Sequence, residues 1–534
     1  MFELKKNNSA AQPRLWLDLA GIFLLGLIVR IALIQLHPAV YGGDALVRLM
    51  NADRVLIAYQ LPLLQLLIYL TNLVSKDPLI VRYLMSILGA TAGAVFYLFS
   101  TTWLERPVAR LASLFFIFSP FLLVHSIVPY QEILMVLTLC SGLYFLLRPD
   151  LRRSIWWTSF SLGLACLTRY ESWVITLVAG VYYAGRRLAS RSAFNYLSVL
   201  FRTTAWFGWA PLLWILLNRG LNPQGTYVLE GLSDWARLWR IPYIVMMAVY
   251  HAGPITTLFA SLGLFAFWRE SLWKRPGLCM ILTATSLLLL TLVFSAHGVE
   301  PHKQRYVTDR EAHWLLLFPF WAAALGLSQI KHWLIPRAGL LDTRPEAAFR
   351  KARAGAYYLI LLLPMVWGWF QTDRYIKRLI ADQNLKIDYQ VAQHLERNLS
   401  DGARALVFAQ PGPQTATQQY FDKVYSKGGM PALDVARRQL AELNSGPLDY
   451  SRIVVNTWLG KEQILDGDKL SNDAAVDPET FLSLNRVRLA VVFSDSAAHE
   501  LTNNPLLDYV KLRGKKKATF VDPGLEVSIY EIPL

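Results

Sequence analysis

The sequence contains few charged residues and few cysteines. Only 17% of its 534 residues are charged, whereas an ordinary soluble domain carries roughly 25%. The three cysteines all lie in apolar stretches, so they indicate no disulfide framework and do not reveal the redox compartment. With 54% hydrophobic residues and a mean hydropathy of +0.32, the composition excludes a soluble multidomain protein and a disordered chain. It indicates a polytopic membrane protein.

The excess of basic over acidic residues has a different meaning in a membrane protein than in a soluble one. The formal net charge is +15. In a soluble protein this excess would suggest a nucleic-acid partner, but in a membrane protein basic residues mark the cytoplasmic loops. We therefore expect membrane lipids, and no nucleic acid, among the partners.

Apolar runs of the length needed to cross a bilayer, about 20 residues, predict about eleven membrane spans. The fifth and sixth runs are short, so they are either two spans that meet at a polar pocket or one long broken helix. The run Leu61–Val74 is short for a span and suits a helix that lies along the membrane interface. The predicted spans lie near 15–37, 79–103, 108–127, 132–148, 155–168, 173–185, 195–218, 242–266, 277–296, 312–328 and 354–370.

Loop charges predict the orientation of the chain. If Leu61–Val74 does not cross, about 20 lysines and arginines fall in one set of loops and about half as many in the other. The positive-inside rule then places the N-terminus in the cytoplasm, and an odd number of spans places the C-terminus outside. The predicted fold is thus an α-helical polytopic membrane domain, residues 1–370, followed by a soluble α/β domain, residues 371–534, on the non-cytoplasmic face.

The predicted outer domain is recognised by its polar composition and by short strand-like runs with turn signals between them. Leu433–Leu443 is predicted to be helical. The strand-like runs are Ala405–Ala409, Ile453–Asn456, Leu489–Phe493 and Leu525–Ile532.

Four clusters of ionisable residues fall on the predicted outer side, and the first comes directly after the first span. Asp44 follows two glycines, and Arg48 lies one helical turn further on the same face. Asp44 is either a helix cap with an incidental ion pair or a general base beside a cation that binds an anionic substrate.

The second and third clusters also offer two interpretations each. Glu132 opens a predicted helix, which favours a carboxylate through the helix dipole alone, or it is a partner of Asp44 in catalysis or metal binding. Arg169 lies between two short spans, and it either pairs with Glu171 or binds a lipid phosphate.

The fourth cluster is the loop from His297 to Trp314. Its histidine, lysine and arginine side chains, among them His302, Lys303 and Arg305, suggest an anion site. The histidines in this loop lack a metal-ligand spacing, so we predict no metal.

This set of features, in this order, resembles the GT-C superfamily of membrane glycosyltransferases. It is similar to the branch that includes protein O-mannosyltransferases and the aminoarabinose transferase of lipid A. The resemblance covers roughly residues 15–370, and Gln304 stands where one branch has a glutamate in a His-Lys-Glu-x-Arg-Phe signature. The matching features are Asp44 after the first span, the interfacial helix Leu61–Val74, Arg82 entering the second span, Glu132, Leu167–Glu171 and His302–Tyr306.

The resemblance implies a polyprenyl-phosphate sugar donor, inversion at the anomeric carbon and a single displacement, with no metal or other cofactor. It implies that Asp44 is the general base and that Glu132 is a second carboxylate of the site. Cations would stabilise the leaving phosphate, and aromatic residues would line the sugar or prenyl pocket. The phosphate-binding candidates are Arg48, Arg169, His302, Lys303 and Arg305, and the pocket candidates are Tyr41, Tyr170, Glu171 and Trp173.

Two other classes of protein remain open as interpretations of the sequence. A ligase or polymerase of lipid-linked polysaccharide shares the compartment and the basic outer loop, but does not predict an acidic residue straight after the first span. A transporter of lipid-linked sugars would place its charges near the middle of the membrane. The acceptor is a glycan, a lipid or a protein, and the abundance of the family favours a bacterial inner membrane with a periplasmic C-terminal domain.

Overall fold

A computed structural model of the chain describes its membrane domain and most of a small C-terminal sheet. The described residues are 12–38, 45, 48–49, 51–53, 55–56, 61–75, 77–189, 196–221, 240–269, 271–272, 275–294, 313–334, 344–382, 385–399, 403–409, 464–466, 478–484, 486–495, 505–522 and 525–533.

The first part of the chain is helical. Its helices are α1 (Gln12–Leu36), α2 (Pro62–Val74), α3 (Pro78–Ser100), α4 (Arg106–Ile117), α5 (Pro120–Val124), α6 (Glu132–Leu147), α7 (Ser154–Cys166), α8 (Glu171–Leu188), α9 (Tyr196–Leu221), α10 (Arg240–Ala252), α11 (Pro254–Arg269), α12 (Pro276–Phe294), α13 (Leu317–Leu334) and α14 (Arg344–Asp382).

Proline and capping residues determine where several of these helices begin. Helices α2 to α5 each have proline at their first or second position, where the missing N–H is not needed and the fixed φ suits the helix. The Asp77 carboxylate also accepts a hydrogen bond from the Leu79 N–H, 2.8 Å away, and so caps α3.

Each predicted span coincides with one or two helices. Two of the predicted spans differ from the prediction because each is divided into two helices. The run 108–127 is divided before Pro120. The run 242–266 is divided at Gly253, whose φ of +84° favours glycine, and helices α10 and α11 are bent by 110° there. Pro254 follows directly and disfavours helical backbone in the residue before it.

The helices identify an integral membrane protein. Within the described ranges, four helices are long and apolar enough to cross a membrane on their own, or five if the bent pair α10–α11 is one span. The count of about eleven spans and the orientation stay predictions. The predicted interfacial run is helix α2, which buries Leu64, Gln65 and Ile68 and leaves Leu73 and Val74 exposed.

Small residues bring α11 and α13 close together. A Cβ atom added at Gly263 would lie 1.6 Å from the Ala322 carbonyl oxygen, and one at Gly326 would lie 2.1 Å from the Phe259 carbonyl oxygen. Close approach of this kind at small residues is typical of membrane helix pairs.

The C-terminal part contains a five-stranded mixed sheet, in the order β2-β1-β3-β5-β4. Strands β2 and β3 pair with β1 in parallel, whereas β5 is antiparallel to both β3 and β4. The strands are β1 (Arg404–Ala409), β2 (Ile464–Asp466), β3 (Val487–Asp495), β4 (Lys515–Asp522) and β5 (Leu525–Glu531), and the helices are α15 (Leu385–Asn398), α16 (Pro478–Leu484) and α17 (Pro505–Arg513).

Alternation along β3 gives this sheet two apolar faces. Leu489 and Val491 pack on the side of α15, whereas Ala490 and Val492 pack on the side of α16 and α17. The sheet is therefore covered by helices on both faces.

The C-terminal predictions are confirmed in part. The strand-like runs that begin at Ala405, Leu489 and Leu525 are strands β1, β3 and β5. Ile453–Asn456 and Leu433–Leu443 lie outside the described residues. Helix α14 runs through residue 370, where we place the domain boundary, and this boundary stays a prediction.

Candidate active site

A buried ion-pair cluster forms where α6, α7 and α8 meet. Glu132 is the first residue of α6, and Glu171 is the first residue of α8. A carboxylate at either position is favoured by the positive end of the helix dipole. Arg169 lies in the short turn between α7 and α8, so these two short runs are separate helices that contact each other.

Arg169 bridges the two carboxylates. Its Nη1 donates to Glu132 Oε1 at 2.5 Å, and its Nε lies 3.0 and 3.1 Å from Glu171 Oε1 and Oε2. Its Nη2 also donates to Glu171 Oε1. The fork of the guanidinium thus engages Glu171 with two N–H groups and Glu132 with one. Because one cation meets two anions, these three side chains carry a net charge of −1 when all are ionised.

Glu132 is the most deeply buried member of the cluster. Its side chain is 1% exposed, whereas those of Arg169 and Glu171 are 11% and 15% exposed. Glu132 Oε2 has no hydrogen-bond partner in the described part of the chain. His125 Nδ1 lies 3.8 Å from this oxygen, beyond hydrogen-bond reach.

Two buried histidines extend the cluster. His125 Nδ1 and His313 Nε2 lie 3.0 Å apart and share a hydrogen bond. Such a contact requires one nitrogen to carry a proton and the other to be bare. His313 directly follows the basic loop 297–312, and His125 precedes Glu132 in the loop between α5 and α6. This pair therefore links the end of the basic loop to the loop before Glu132, where His125 Nδ1 lies 3.8 Å from Glu132 Oε2.

Three histidines converge on one phenylalanine beside the site. The ring of Phe121 lies 4.3 Å from that of His125, 4.1 Å from that of His251 and 4.4 Å from that of His313, measured between centroids. His251 comes from the end of α10, far away in the sequence. We did not predict this contact, and the only local signal was that His125 and His313 occur in loops already identified by their charges.

Arg48 belongs to the same region. Its Nη2 donates to Gln131 Oε1 at 2.7 Å, and Gln131 directly precedes Glu132. The first loop is also fixed from α2, where Gln65 Nε2 donates to the carbonyl oxygens of Arg48 and Asn51 at 3.1 and 2.7 Å. Helix α2 thus supports the loop that carries the first predicted cluster.

Tyr170 and Trp173 have their polar atoms bound within the protein. The Tyr170 hydroxyl accepts a hydrogen bond from Trp214 Nε1 at 3.0 Å, and Trp173 Nε1 donates to the Cys166 carbonyl oxygen at 2.9 Å. Burial raises the pKa of the Tyr170 phenol to about 12. Both rings are half-buried beside the carboxylate–arginine cluster.

The structure brings together six of the predicted site residues. These are Arg48, Glu132, Arg169, Tyr170, Glu171 and Trp173, and their predicted roles are not tested by these contacts. The other five lie outside the described residues, namely Tyr41, Asp44, His302, Lys303 and Arg305. Within the part of the chain that the structure describes, no group of three or more His, Cys, Asp or Glu side chains could hold a metal ion.

Comparison with solved structures shows that the chain shares the fold of ArnT, a structural neighbour that belongs to the GT-C superfamily. No protein-family model matches the chain, and no curated protein matches it. Among the similar structures are two of ArnT from Cupriavidus metallidurans. The one bound to undecaprenyl phosphate is 13% identical, with a TM-score of 0.50 over 97% of this chain and 98% of that one. The apo form is 12% identical, with a TM-score of 0.51 over 98% of both chains.

An archaeal structure is similar to a lesser degree. The oligosaccharyltransferase of Archaeoglobus fulgidus in its apo form is 13% identical, with a TM-score of 0.46. The match covers 89% of this chain and 69% of that one. The ArnT likeness over nearly the whole of both chains is the finding that defines the fold.

Proposed function

We propose that this protein is a glycosyltransferase that moves a sugar from a polyprenyl-phosphate-linked donor to an acceptor at the outer face of the membrane. The observation that carries the proposal is the ArnT-like fold, since one of the ArnT structures is bound to undecaprenyl phosphate. A buried carboxylate–arginine cluster at the helix ends supports it, because ionisable residues in a membrane protein are costly and mark functional sites.

The proposed reaction is a single displacement with inversion. The acceptor hydroxyl oxygen attacks the anomeric carbon while the bond from that carbon to the donor phosphate breaks. The phosphate leaves with the electron pair as polyprenyl phosphate, and the hydroxyl proton passes to the carboxylate of Asp44. Arg48, His302, Lys303 and Arg305 are the proposed cations that stabilise the charge developing on the phosphate.

Arg169 and Glu132 receive a more specific proposal from the described contacts. Arg169 already bridges two carboxylates, so its charge is largely balanced before any phosphate arrives. We propose that it holds Glu132 and Glu171 in place and contributes to the phosphate site from that position. Glu132 is the second carboxylate of the site, and its Oε2 has no hydrogen-bond partner among the described residues.

The remaining elements of the proposal follow from the resemblance. The reaction needs no metal, the acceptor is a glycan, a lipid or a protein, and Tyr41, Tyr170, Glu171 and Trp173 line the substrate pocket. The membrane is a bacterial inner membrane, with the N-terminus in the cytoplasm and residues 371–534 in the periplasm.

Transfer of a labelled sugar tests the proposal. Purified protein would be incubated with a membrane extract as acceptor and with radiolabelled undecaprenyl-phosphate mannose or undecaprenyl-phosphate aminoarabinose, each with and without a chelator. Labelled product with the first donor indicates hexosyl transfer, and with the second pentosyl transfer. Chelator-resistant turnover supports the metal-free reaction. Folded protein that transfers neither sugar and does not bind undecaprenyl phosphate would overturn the proposal.

The Asp44→Asn variant tests the base. It removes a proton acceptor with little change of shape, so we expect transfer to be lost while donor binding is retained. Asp150→Asn is the matched control, because Asp150 is an exposed aspartate in the loop between α6 and α7, where it pairs with Arg148 at 2.9 Å. Near wild-type transfer by Asp44→Asn would make Asp44 a helix cap.

A further inference from the structure

Arg30 is a fully buried arginine within the apolar helix α1. It lies less than two turns before the helix ends at Leu36. A charged side chain at this depth of a membrane-spanning helix is unfavourable unless the protein uses it. Among the described residues no carboxylate pairs with it, and its Nη2 has no hydrogen-bond partner. Among the described residues, neutralisation of a neighbouring charge therefore does not explain its presence.

The contacts of Arg30 connect α1 to the loop between α5 and α6. Its Nε donates to the Ser126 hydroxyl oxygen at 2.7 Å, and its Nη1 donates to the Gly26 carbonyl oxygen at 2.9 Å. Helix α3 leaves room for this contact at Gly89. A Cβ atom there would lie 2.5 Å from Arg30 Nε and 2.5 Å from Ser126 Cβ.

A second buried arginine holds the next residue of the same loop. Arg82 of α3 donates from Nε to the Ile127 carbonyl oxygen at 3.0 Å. Its Nη1 and Nη2 donate to the carbonyl oxygens of Pro38 and His37, at 2.6 and 3.1 Å, at the end of α1. Ser126 and Ile127 are consecutive residues of the loop. They are thus held by Arg30 of α1 and by Arg82 of α3, respectively.

The segment held in this way carries a residue of the candidate site. His125 directly precedes Ser126, and its Nδ1 contacts His313 at 3.0 Å and lies 3.8 Å from Glu132 Oε2. We propose that Arg30 is a positioning residue for the transfer reaction, acting through Ser126 to fix the backbone that places His125 against Glu132. This inference rests on the proposed function.

The variant Ser126→Ala tests the inference with a small change. It removes the hydroxyl that accepts from Arg30 and leaves the arginine in place. Ser100→Ala is the matched control, because the buried Ser100 hydroxyl accepts from Trp321 Nε1 at 2.8 Å and lies at the other end of α3. Each variant removes one buried hydroxyl that accepts a hydrogen bond from another helix.

The expected kinetic result distinguishes positioning from general stability. Small displacements of a site lower the rate by up to roughly 100-fold, so we expect Ser126→Ala to lower kcat about 10- to 100-fold with the donor KM near wild type. Ser100→Ala should keep the wild-type kcat. In Arg30→Lys/Ser126→Ala the loss should be smaller than the sum of the two single losses, since both changes disrupt the contact between Arg30 and Ser126. Wild-type kcat in Ser126→Ala, or an equal loss in Ser100→Ala, would overturn the inference.

Hydrogen–deuterium exchange of the loop peptide 119–132 provides a readout that does not depend on activity. We expect faster exchange in Ser126→Ala than in wild type, and no change in Ser100→Ala. If wild type transfers no sugar, the proposed function fails, whereas the exchange result still decides whether Arg30 holds this loop. Unchanged exchange in Ser126→Ala would contradict the inference that the contact between Arg30 and Ser126 holds this loop in place.

Discussion

Removing the Glu132 carboxylate should destabilise the membrane domain more than removing that of Glu171. Both glutamates bind Arg169, but the side chain of Glu132 is 1% exposed and that of Glu171 is 15% exposed. Deleting one partner of a buried ion pair costs about 3–5 kcal/mol. Because Arg169 keeps the Glu171 carboxylate in Glu132→Ala, we expect the lower end, about 3 kcal/mol.

The conservative substitution should recover part of this loss. Glu132→Gln keeps an oxygen that can accept from Arg169 Nη1, and it loses only the charge, so we expect a loss of about 1–2 kcal/mol in the free energy of unfolding. Glu171→Ala removes a less deeply buried partner and leaves Arg169 paired with Glu132, so we expect a loss of about 1 kcal/mol.

The assay is urea unfolding of the purified variants in mixed micelles of one fixed composition. Unfolding is monitored by tryptophan fluorescence. The expected order of stability, from the highest, is wild type, Glu171→Ala, Glu132→Gln, Glu132→Ala. The double variant Glu132→Leu/Arg169→Met should be less stable than Glu132→Ala, because it also removes the arginine partner of Glu171 and leaves that carboxylate buried without a cation. If Glu171→Ala lost as much stability as Glu132→Ala, or if neither variant lost any, the assigned burial and pairing would be wrong.

Two further pairs of substitutions test the helix packing and the histidine contact. Gly263→Ala should lower the free energy of unfolding by about 3 kcal/mol or more through overpacking. Gly21→Ala is the control, because the added Cβ meets nothing within 4 Å, and its urea midpoint should stay near wild type. Equal midpoints for the two variants would contradict the close contact between α11 and α13. His313→Leu should cost about 1–3 kcal/mol by removing the hydrogen-bond partner of buried His125, and His313→Gln should cost less because it keeps a nitrogen, so a fully stable His313→Leu would argue against this contact.

The membrane helices could be predicted because their signal is local. An apolar run of sufficient length is a helix wherever it lies in a bilayer, since its backbone polar groups must be paired within the segment. The bend at Gly253 was also readable in principle, because Gly253-Pro254 is a strong breaker of helices. We predicted one span there because the apolar composition continues across the break.

The sheet shows how local composition can hide a strand. Lys515, Lys516 and Lys517 open β4, and a run of lysines is not typical of a strand. Strand β4 lies at the edge of the sheet, where lysines are tolerated and discourage pairing with another chain. Its pairing with β5 depends on tertiary contacts that a single run of residues does not reveal.

The carboxylate–arginine cluster could be predicted in part from the sequence, whereas the contacts of the histidines around it could not. Arg169 and Glu171 are two residues apart, so their pairing was one of the two interpretations of that motif. His251 and His313 reach Phe121 from distant elements. No spacing in the sequence indicates such a meeting, because it is produced by the packing of helices.

The buried charges of this domain have a common arrangement that bears on the proposed chemistry. Glu132 is held by Arg169, and Arg82 is held by three carbonyl oxygens. Dipoles and charges that are fixed before a substrate binds need no reorganisation when charge develops on a leaving group, and this is the main source of electrostatic stabilisation in enzymes. In the proposed reaction, the charge on the leaving lipid phosphate develops beside the cluster of Glu132 and Arg169. If the chain performs that reaction, the unfavourable burial of Arg30 and Arg82 is explained by the rigidity that they give to the loop before Glu132.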